Sequence, residues 1–387
     1  MVIAGGALMG TATAYHLSEH PDFVGTIAVV DPDQSYAKSA SALSAAAVRE
    51  QFSHPINIQA SQYGMDFFEN FHERVHVDGE SPDLDFVGTG FLFLGDEASL
   101  PAMRELNTKQ RAAGVEAEIL DKAELAEEFA YLNVDEVAGG SLGSLREGTL
   151  DGSALLHGMK ERAKANGVTY LTDSVTDLDI DNDRVRSVAL ASGTSISCGF
   201  FVNATGTRSK QMAKLIGVDL PVEPRRRSIF EFSCQTPIEG RIPLTILPSG
   251  VSFRREQDHF LASLIPPEDP EVDPNDFRVG YEHFDEIIWA ELGRYVLAFD
   301  QVEIIRSRAG HYAYNTVDKN MIVGPDSTIE NFFYANGFTG HGLQHSPAVG
   351  RALAELIVDG AYITIDMSSL GVSRTVHPAR HGETVVI

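Results

Sequence analysis

The chain has 387 residues, more than a single hydrophobic core usually serves, so we expect two joined domains. Apolar residues make up 43% and charged residues 22%, an ordinary balance for a globular protein. Its 55 acidic residues outnumber its 30 basic ones, and the formal charge of −25 argues against a nucleic-acid partner or an anionic membrane surface. The sequence has no run of about 18 apolar residues, no signal peptide and no CxxC pair, so we expect a soluble cytoplasmic protein without membrane insertion or a metal site.

The first predicted elements form a βαβ unit. Val2-Ile3-Ala4 predicts a short buried strand, and helical spacing of apolar residues begins at Met9. A second apolar strand, residues 27–30, ends at Asp31. This order of elements is typical of the opening of a dinucleotide-binding α/β fold.

The turn of this unit has glycines at Gly5 and Gly10, with Ala7 where the usual fingerprint has its middle glycine. Such a turn lets phosphate oxygens approach the N–H groups of a helix N-terminus. Asp31 or Asp33 follows at the spacing of the acid that binds ribose hydroxyls. The turn therefore predicts a dinucleotide site, although a plain tight turn in an α/β protein has a similar pattern.

Later segments alternate between helix and strand. The sequence predicts helices near 57–71, 97–113, 121–129, 151–165 and 208–216, and strands near 86–94, 168–171 and 200–202. A hairpin is expected through Asp181-Asn182-Asp183, and residues 221–300 read as an antiparallel sheet. Residues 346–359 predict a last helix with Pro347 in its first turn.

Three further segments are rich in small residues. Residues 39–47 (SASALSAAA) suit a backbone that lies against a flat or charged group, although an Ala-rich helix or linker would also fit. Arg49 follows them, as a candidate cation for a substrate carboxylate or simply a surface arginine. Residues 202–207 (VNATGT) and 334–344 (YANGFTGHGLQ) each follow a strand, and the second leads into a helix whose dipole would stabilise an anionic group.

These motifs resemble the D-amino-acid oxidase superfamily of flavoproteins, in particular the sarcosine and dimethylglycine oxidase/dehydrogenase group and D-arginine dehydrogenase. GFTGHGLQHSPAVGRALAELI is the most specific part of the resemblance, which runs from residue 1 to about 370. Residues 250–256 and 308–325 are most similar to the dimethylglycine dehydrogenase branch and to a related FAD-dependent respiratory-complex assembly factor.

The resemblance implies an α/β (α+β overall) protein, with a Rossmann-like FAD-binding domain and a substrate domain that contains a mostly antiparallel sheet. The FAD-binding domain would be discontinuous, formed by 1–85, 145–216 and 305–387, and the substrate domain by 86–144 and 217–304. It also implies oxidation of the C–N bond of a small amine or amino acid by hydride transfer to flavin N5. Gly310 stands about where sarcosine oxidase attaches its flavin through cysteine, so we expect noncovalent FAD.

The resemblance also assigns roles to single residues. Arg49 and Gln344 match positions that bind the substrate carboxylate, and Arg226 lies in a run that is similar to an active-site arginine stretch. Arg254 falls near a lysine that promotes the reaction with oxygen, and arginine there favours a dehydrogenase. The residues predicted to be catalytic are Arg49, Arg226, Arg254, His311, Tyr312 and Gln344. The residues predicted to bind the cofactor are Gly5, Ala7, Leu8, Met9, Gly10, Asp31, Pro32, Ser39, Ser41, Ala42, Ser44, Ala45, Ala46, Ala47, Val175, Ala204, Thr205, Gly206, Gly310, Gly337, Gly340, His341, Gly342, Leu343 and Gln344.

Two alternatives remain open at this stage. One is a flavin-binding assembly factor without turnover, and the other is an NAD-dependent dehydrogenase, which rests on the first glycine turn alone. Either oxygen or an electron-transfer protein would be the final acceptor, and the protein would act as a monomer or an oligomer.

Overall fold

The computed structural model describes residues 1–376 and 382–387, so residues 377–381 of the predicted segment 305–387 lie outside the described residues. The strands are β1 (Val2–Ala4), β2 (Ala28–Asp31), β3 (Ala47–Val48), β4 (Val87–Gly88), β5 (Phe91–Gly95), β6 (Ala117–Asp121), β7 (Gly139–Gly143), β8 (Gly148–Thr149), β9 (Thr169–Thr172), β10 (Val175–Asp181), β11 (Arg184–Leu190), β12 (Ser195–Ser197), β13 (Phe201–Asn203), β14 (Val222–Cys234), β15 (Leu244–Ile246), β16 (Ser252–Glu256), β17 (His259–Ser263), β18 (Val302–Asn315), β19 (Ile322–Pro325) and β20 (Phe332–Asn336). The helices are α1 (Leu8–Glu19), α2 (Pro55–Glu69), α3 (Phe71–Val75), α4 (Leu100–Ala112), α5 (Lys122–Glu128), α6 (Gly152–Ala165), α7 (Ser209–Lys214), α8 (Tyr281–His283), α9 (Trp289–Tyr295) and α10 (Gly342–Val358).

A six-stranded sheet in the order β19-β20-β13-β1-β2-β9 forms the first layer, and its strands are parallel except for β19. The predicted βαβ opening is therefore confirmed. Helices α1, α2, α6 and α10 share one apolar core with this sheet, in which Leu17, Met159 and Leu353 are buried. Helix α10 packs closely on α1, since a Cβ on Gly350 would lie 2.5 Å from the carbonyl oxygen of Ala12.

An eight-stranded sheet in the order β18-β14-β17-β16-β15-β5-β7-β6 forms the second layer, antiparallel except between β15 and β5. Its long pair β14 and β18 runs from Val222 opposite Asn315 to Cys234 opposite Val302, with one shift of register between Glu231 and Phe232. An aromatic core that includes Phe230, Phe232 and Phe299 packs against this sheet. The fold is thus mixed α/β, with a Rossmann-like parallel sheet and a mostly antiparallel second sheet.

The expectation of strands throughout 221–300 is wrong for residues 281–295, which form α8, a π-helical segment at Phe284–Ile288 and α9. Phe284, Ile288 and Leu292 are buried at helical spacing, so this segment covers the aromatic core with one apolar face. The hairpin through Asn182 and Asp183 is confirmed, because β10 and β11 pair up to Asp181 and Arg184.

The last helix begins at Gly342, four residues before the expected start, and it contains Pro347 in its interior. Proline has no N–H to donate to the carbonyl four residues earlier. That carbonyl, Leu343 O, accepts a hydrogen bond from the hydroxyl of Ser346 at 2.8 Å instead, so the helix tolerates the proline.

The division into domains stays a prediction, and β18 continues unbroken across its boundary at residues 304 and 305. Among the described residues, no helix has the length and the apolar character that a membrane span requires.

Candidate cofactor and substrate site

The glycine turn is shaped by two close backbone contacts. Gly5 has φ +96°, and a Cβ there would lie 2.4 Å from Ala204 O. A Cβ on Gly10 would lie 1.8 Å from Gly5 O, so neither position accepts a side chain. Helix α1 then starts at its N-cap, Ala7, without a side-chain capping bond. Its first-turn N–H groups, which have no partners inside a helix, are left for a ligand.

The acid at the end of β2 is fixed by the same turn. The Asp31 carboxylate accepts hydrogen bonds from Gly6 N at 2.8 Å and Asp33 N at 2.9 Å. Burial raises the pKa of Asp31, and those two N–H groups act in the opposite direction. Asp33 bonds to Ser35 instead, and that hydroxyl lowers the pKa of Asp33. Asp31 is thus the acid that the glycine turn holds in place, and its role as the ribose ligand stays a prediction.

One cavity of about 720 Å³ extends from this turn to the loop before α10. Its volume is in the range of ligand-binding clefts, about 300–1,000 Å³. The start of α1 and the start of α10 are close to each other beside it, because a Cβ on Gly342 would lie 3.3 Å from Met9 Cε. The predicted residues that line the cavity are Gly5, Ala7, Leu8, Met9, Asp31, Pro32, Ser39, Ser41, Ser44, Val175, Ala204, Thr205, Gly206, His311, Tyr312, Gly340, Gly342 and Leu343.

The other predicted residues do not line the cavity. They are Gly10, Ala42, Ala45, Ala46, Ala47, Arg49, Arg226, Arg254, Gly310, Gly337, His341 and Gln344. Several of them pack against the segments that line the cavity and so position those segments. Gly310 lets residues 39–47, the small-residue loop, lie against β18, since a Cβ there would be 2.9 Å from Leu43 Cβ. Gly337 has φ +68° and faces Val222 and Ile322, so its role is in the backbone turn after β20.

Arg49 is a buried cation with an exposed fraction of only 2%. Its guanidinium carbon lies 3.9 Å from the centre of the Phe52 ring, a cation–π contact. Its two terminal nitrogens donate to the main-chain oxygens of Gln51 and Val385. Burial lowers the pKa of Arg49 to about 10, and the nearby carboxylates of Glu383 and Glu147 act against this shift. The side chain is thus charged at neutral pH.

Gln344 and His345 of α10, together with His341 at its N-cap, lie near Arg49. Gln344 Oε1 accepts a hydrogen bond from Arg49 N at 2.8 Å. His341 and His345 lie against the Phe52 ring, each with ring centres 5.0 Å apart. Burial holds the pKa of both histidines well below the usual range, so both are neutral at pH 7. Neither is placed to act as a cation for a substrate.

His311 and Tyr312 are the predicted catalytic residues that reach the cavity. His311 Nε2 lies 2.8 Å from Asp276 O, and its ring packs edge-on against Phe277. The Tyr312 ring lies under the guanidinium of Arg227 at 4.8 Å, and its hydroxyl donates to Ile387 O at 3.0 Å.

The two remaining predicted arginines bind acids of the protein. Arg226 forms an ion pair with Asp276 at 2.9 Å, which balances its charge, and it does not line the cavity. Arg254 pairs with Glu256 and donates to Ala45 O at 3.0 Å, so it supports the small-residue loop. Arg308 donates to the adjacent Ser44 O at 3.2 Å, a contact that the sequence reasoning missed.

Sequence reasoning also missed the loop 274–277, which lines the cavity together with Lys38 and Arg208. The Lys38 ammonium lies 5.8 Å from the Phe277 ring centre, and Arg208 donates to Asn275 at 2.6 Å. The two cations are the signal that could have found this end of the site, because a pyrophosphate needs positive charge in a strongly acidic protein.

This cavity fits FAD. A helix N-terminus without a side-chain cap, a fixed carboxylate at the end of β2 and small-residue turns on both walls match its pyrophosphate, its ribose and its extended shape. The fold and the site thus define a dinucleotide-binding flavoprotein. The family model for FAD dependent oxidoreductase (DAO) matches residues 1–356, and the chain belongs to that family.

The relatives agree with this assignment. The chain is 35% identical to FAD-dependent oxidoreductase domain-containing protein 1 of Xenopus laevis, over 97% of this chain and 82% of the relative. It is 21% identical to monomeric sarcosine oxidase of an Arthrobacter species, over 93% of this chain and 92% of that enzyme. Among solved structures it is similar to L-proline dehydrogenase from P. horikoshii, with a TM-score of 0.84, 23% identity and 96% of both chains covered. The chain is therefore an FAD-dependent oxidoreductase of a family that acts on amines and amino acids.

Proposed function

We propose that the protein oxidises the C–N bond of a small carboxylated amine or amino acid, of the sarcosine or dimethylglycine kind or a D-amino acid. The observation that carries this proposal is that one cavity reaches from the dinucleotide turn to Tyr312 and His311, with the buried cation Arg49 beside Tyr312. Bound FAD would supply the hydride acceptor, while the amine loses a hydride from carbon and its C–N single bond becomes C=N.

In this proposal the protein's residues orient the substrate. Arg49 remains charged and is stacked on Phe52, so its Nη2, which donates to Val385 O, is held in a fixed direction that suits a carboxylate. Gln344 fixes the main chain of Arg49 through its side-chain oxygen. Tyr312 offers a hydroxyl whose pKa is raised by burial, so it acts as a hydrogen-bond donor and not as an anion.

The proposal includes noncovalent FAD. Gly310 offers no side chain for attachment, Cys198 is buried in the apolar core under β13, and Cys234 is at the end of β14 that pairs with Val302. Acid precipitation is therefore expected to release all of the flavin into the supernatant. The cytoplasmic location and the final electron acceptor stay predictions from the sequence.

The experiment is anaerobic mixing of the FAD-loaded protein with a panel of N-methylated amines, glycine derivatives and D-amino acids. Loss of the yellow flavin absorbance with one of them is the expected result. Arg49→Lys removes the planar guanidinium and its directed Nη2 donor, so we expect KM to rise about tenfold or more for the active substrate. Arg111→Lys, on the exposed face of α4, is the matched control.

A panel with no bleaching at all would contradict the oxidation. It would favour the alternative, a flavin-binding protein without turnover. The NAD-dependent alternative is not supported, because the family is FAD-dependent.

A further inference from the structure

The segment Gly382–Ile387 is anchored beside the site by one buried carboxylate. Glu383 has an exposed fraction of 2%. It accepts hydrogen bonds from Ser53 N at 2.9 Å, His54 N at 3.2 Å and Asn57 Nδ2 at 2.7 Å, and one from the Ser53 hydroxyl. These donors surround the N-terminus of α2, where the helix dipole also favours a negative charge. The anchor is therefore strong and specific for an acid.

Beyond Glu383, main-chain oxygens of the segment accept hydrogen bonds from the two donors of the proposed substrate site. Arg49 Nη2 donates to Val385 O at 2.6 Å, and the Tyr312 hydroxyl donates to Ile387 O at 3.0 Å. Tyr312 lines the FAD cavity, so the segment reaches the wall of that cavity. The two donors that the proposed function needs for a carboxylate are thus bound to main-chain oxygens of this segment.

The side chain at Ile387 occupies an apolar pocket next to these donors. It packs against a cluster of Phe91, Leu244 and Ile246, together with Ala47 and Phe93. These residues belong to β3, β5 and β15, so the pocket lies on the eight-stranded sheet and beside the small-residue loop. The arrangement is an oxygen acceptor held by Arg49 and Tyr312 with a branched aliphatic group a short distance away.

We propose that residues 383–387 occupy the position in which the substrate binds. A ligand with both a carboxylate and a branched apolar group displaces them. This proposal rests on the proposed function and narrows its substrate class to amino acids with a branched aliphatic side chain, which leaves out sarcosine and dimethylglycine. A small ligand without an apolar group gains only the polar contacts, and it competes poorly with a segment that fills both subsites.

The test uses isovalerate as the probe, because it has the carboxylate and the branched group but no amine to oxidise. Its binding is followed by the absorbance change of the bound flavin, with acetate as the probe that lacks the apolar group. Deletion of residues 383–387 is expected to tighten isovalerate binding about tenfold or more, since apparent affinity is reduced by the fraction of molecules in the competent state. Glu383→Gln weakens the anchor and should shift binding in the same direction.

Asp121→Asn is the matched control, because Asp121 also accepts N–H bonds at a helix N-terminus but belongs to the exposed capping box of α5. A second measurement follows the segment directly. In Val386→Cys the new thiol is in the half-buried segment, and the half-buried natural Cys234 is an internal reference. Isovalerate is expected to raise the alkylation rate at position 386 several-fold and to leave that of Cys234 unchanged.

Equal isovalerate affinity in the full and shortened chains, or a flavin response without faster alkylation at position 386, overturns the displacement. These results do not depend on turnover. If no amine bleaches the flavin but isovalerate releases the segment, the oxidation fails and the displacement stands. If amines bleach the flavin but isovalerate leaves the segment in place, the displacement alone fails.

Discussion

Glu147 is a fully buried carboxylate directly behind Arg49. It accepts hydrogen bonds from Glu50 N at 2.7 Å, Gln51 N at 3.1 Å and Gln51 Nε2 at 2.9 Å. Gln51 O in turn accepts a bond from Arg49, so this single side chain fixes the backbone that holds the buried cation. Burial raises the pKa of Glu147 to about 7, against the effect of these donors and of Arg49.

This shift makes stability depend on pH. The pKa of Glu147 is higher in the folded chain than the ordinary value of 4.5, so the folded chain keeps a proton that the unfolded chain releases. The unfolding free energy therefore falls as pH rises from about 4.5 to about 7, by about 3 kcal/mol for the full shift. The glutamine of Glu147→Gln cannot titrate. The unfolding free energy of this variant should therefore decrease much less between pH 5 and pH 8 than that of the wild type.

Urea unfolding at the two pH values measures the effect. Glu97→Gln, at an exposed position, is the control and should behave like the wild type. The same fall in Glu147→Gln as in the wild type would show that other groups cause the pH dependence.

At the scale of elements, the contact between α2 and α10 positions Gln344. A Cβ on Gly64 in α2 would lie 2.3 Å from Gln344 O, a backbone atom that has little freedom to move. Alanine in a helix interior is favoured over glycine by about 1 kcal/mol. Overlap with a packed backbone costs about 1–3 kcal/mol. The overlap is expected to dominate here.

Gly64→Ala is therefore expected to destabilise the protein by about 1–2 kcal/mol and to weaken substrate binding, because α10 must move with Gln344. Gly199→Ala is the matched control, since a Cβ there meets no atom within 4 Å. Thermal unfolding and KM measure the two effects. A more stable Gly64→Ala variant would mean that the helices can separate without strain.

Elements with strong local patterns could be predicted from the sequence. The βαβ opening follows from a run of apolar residues and a glycine turn, and the hairpin from Asn182 and Asp183, which both have positive φ. The helical segment 281–295 had a local signal too, in the spacing of Phe284, Ile288 and Leu292. It was hidden by the proline and glycine residues that precede it.

The substrate side of the site had no such local signal. The start of α10 at Gly342 has no side-chain cap, and Pro347 suggested a later start. Arg49 contacts Gln344, which is 295 positions away along the chain, and Val385, which is 336 positions away. Only the folded chain brings them together, so the sequence could suggest Arg49 as a candidate but not its burial or its partners.

At the scale of the whole molecule, the cofactor cavity is formed by residues that are far apart in the sequence, from Ala4 to Leu343. FAD should bind only the folded chain, and such a ligand stabilises by about 2.7 kcal/mol at 100 times its dissociation constant. We expect FAD to raise the melting temperature of the flavin-free protein and NAD to leave it unchanged. Gly5→Ala should lose the response, since its Cβ would overlap Ala204 O. A comparable shift with NAD would contradict the assignment of the cavity.

The position of Gly342 and Leu343 in the cavity wall has a consequence for biosynthesis. A ribosome that adds about 5–20 residues per second reaches Leu343 some tens of seconds after Gly5. During that interval the glycine turn has been translated, but Gly342 and Leu343 of the same FAD cavity have not. FAD can therefore bind in its complete site only after Leu343 has been translated, and until then the nascent chain must avoid aggregation without its cofactor.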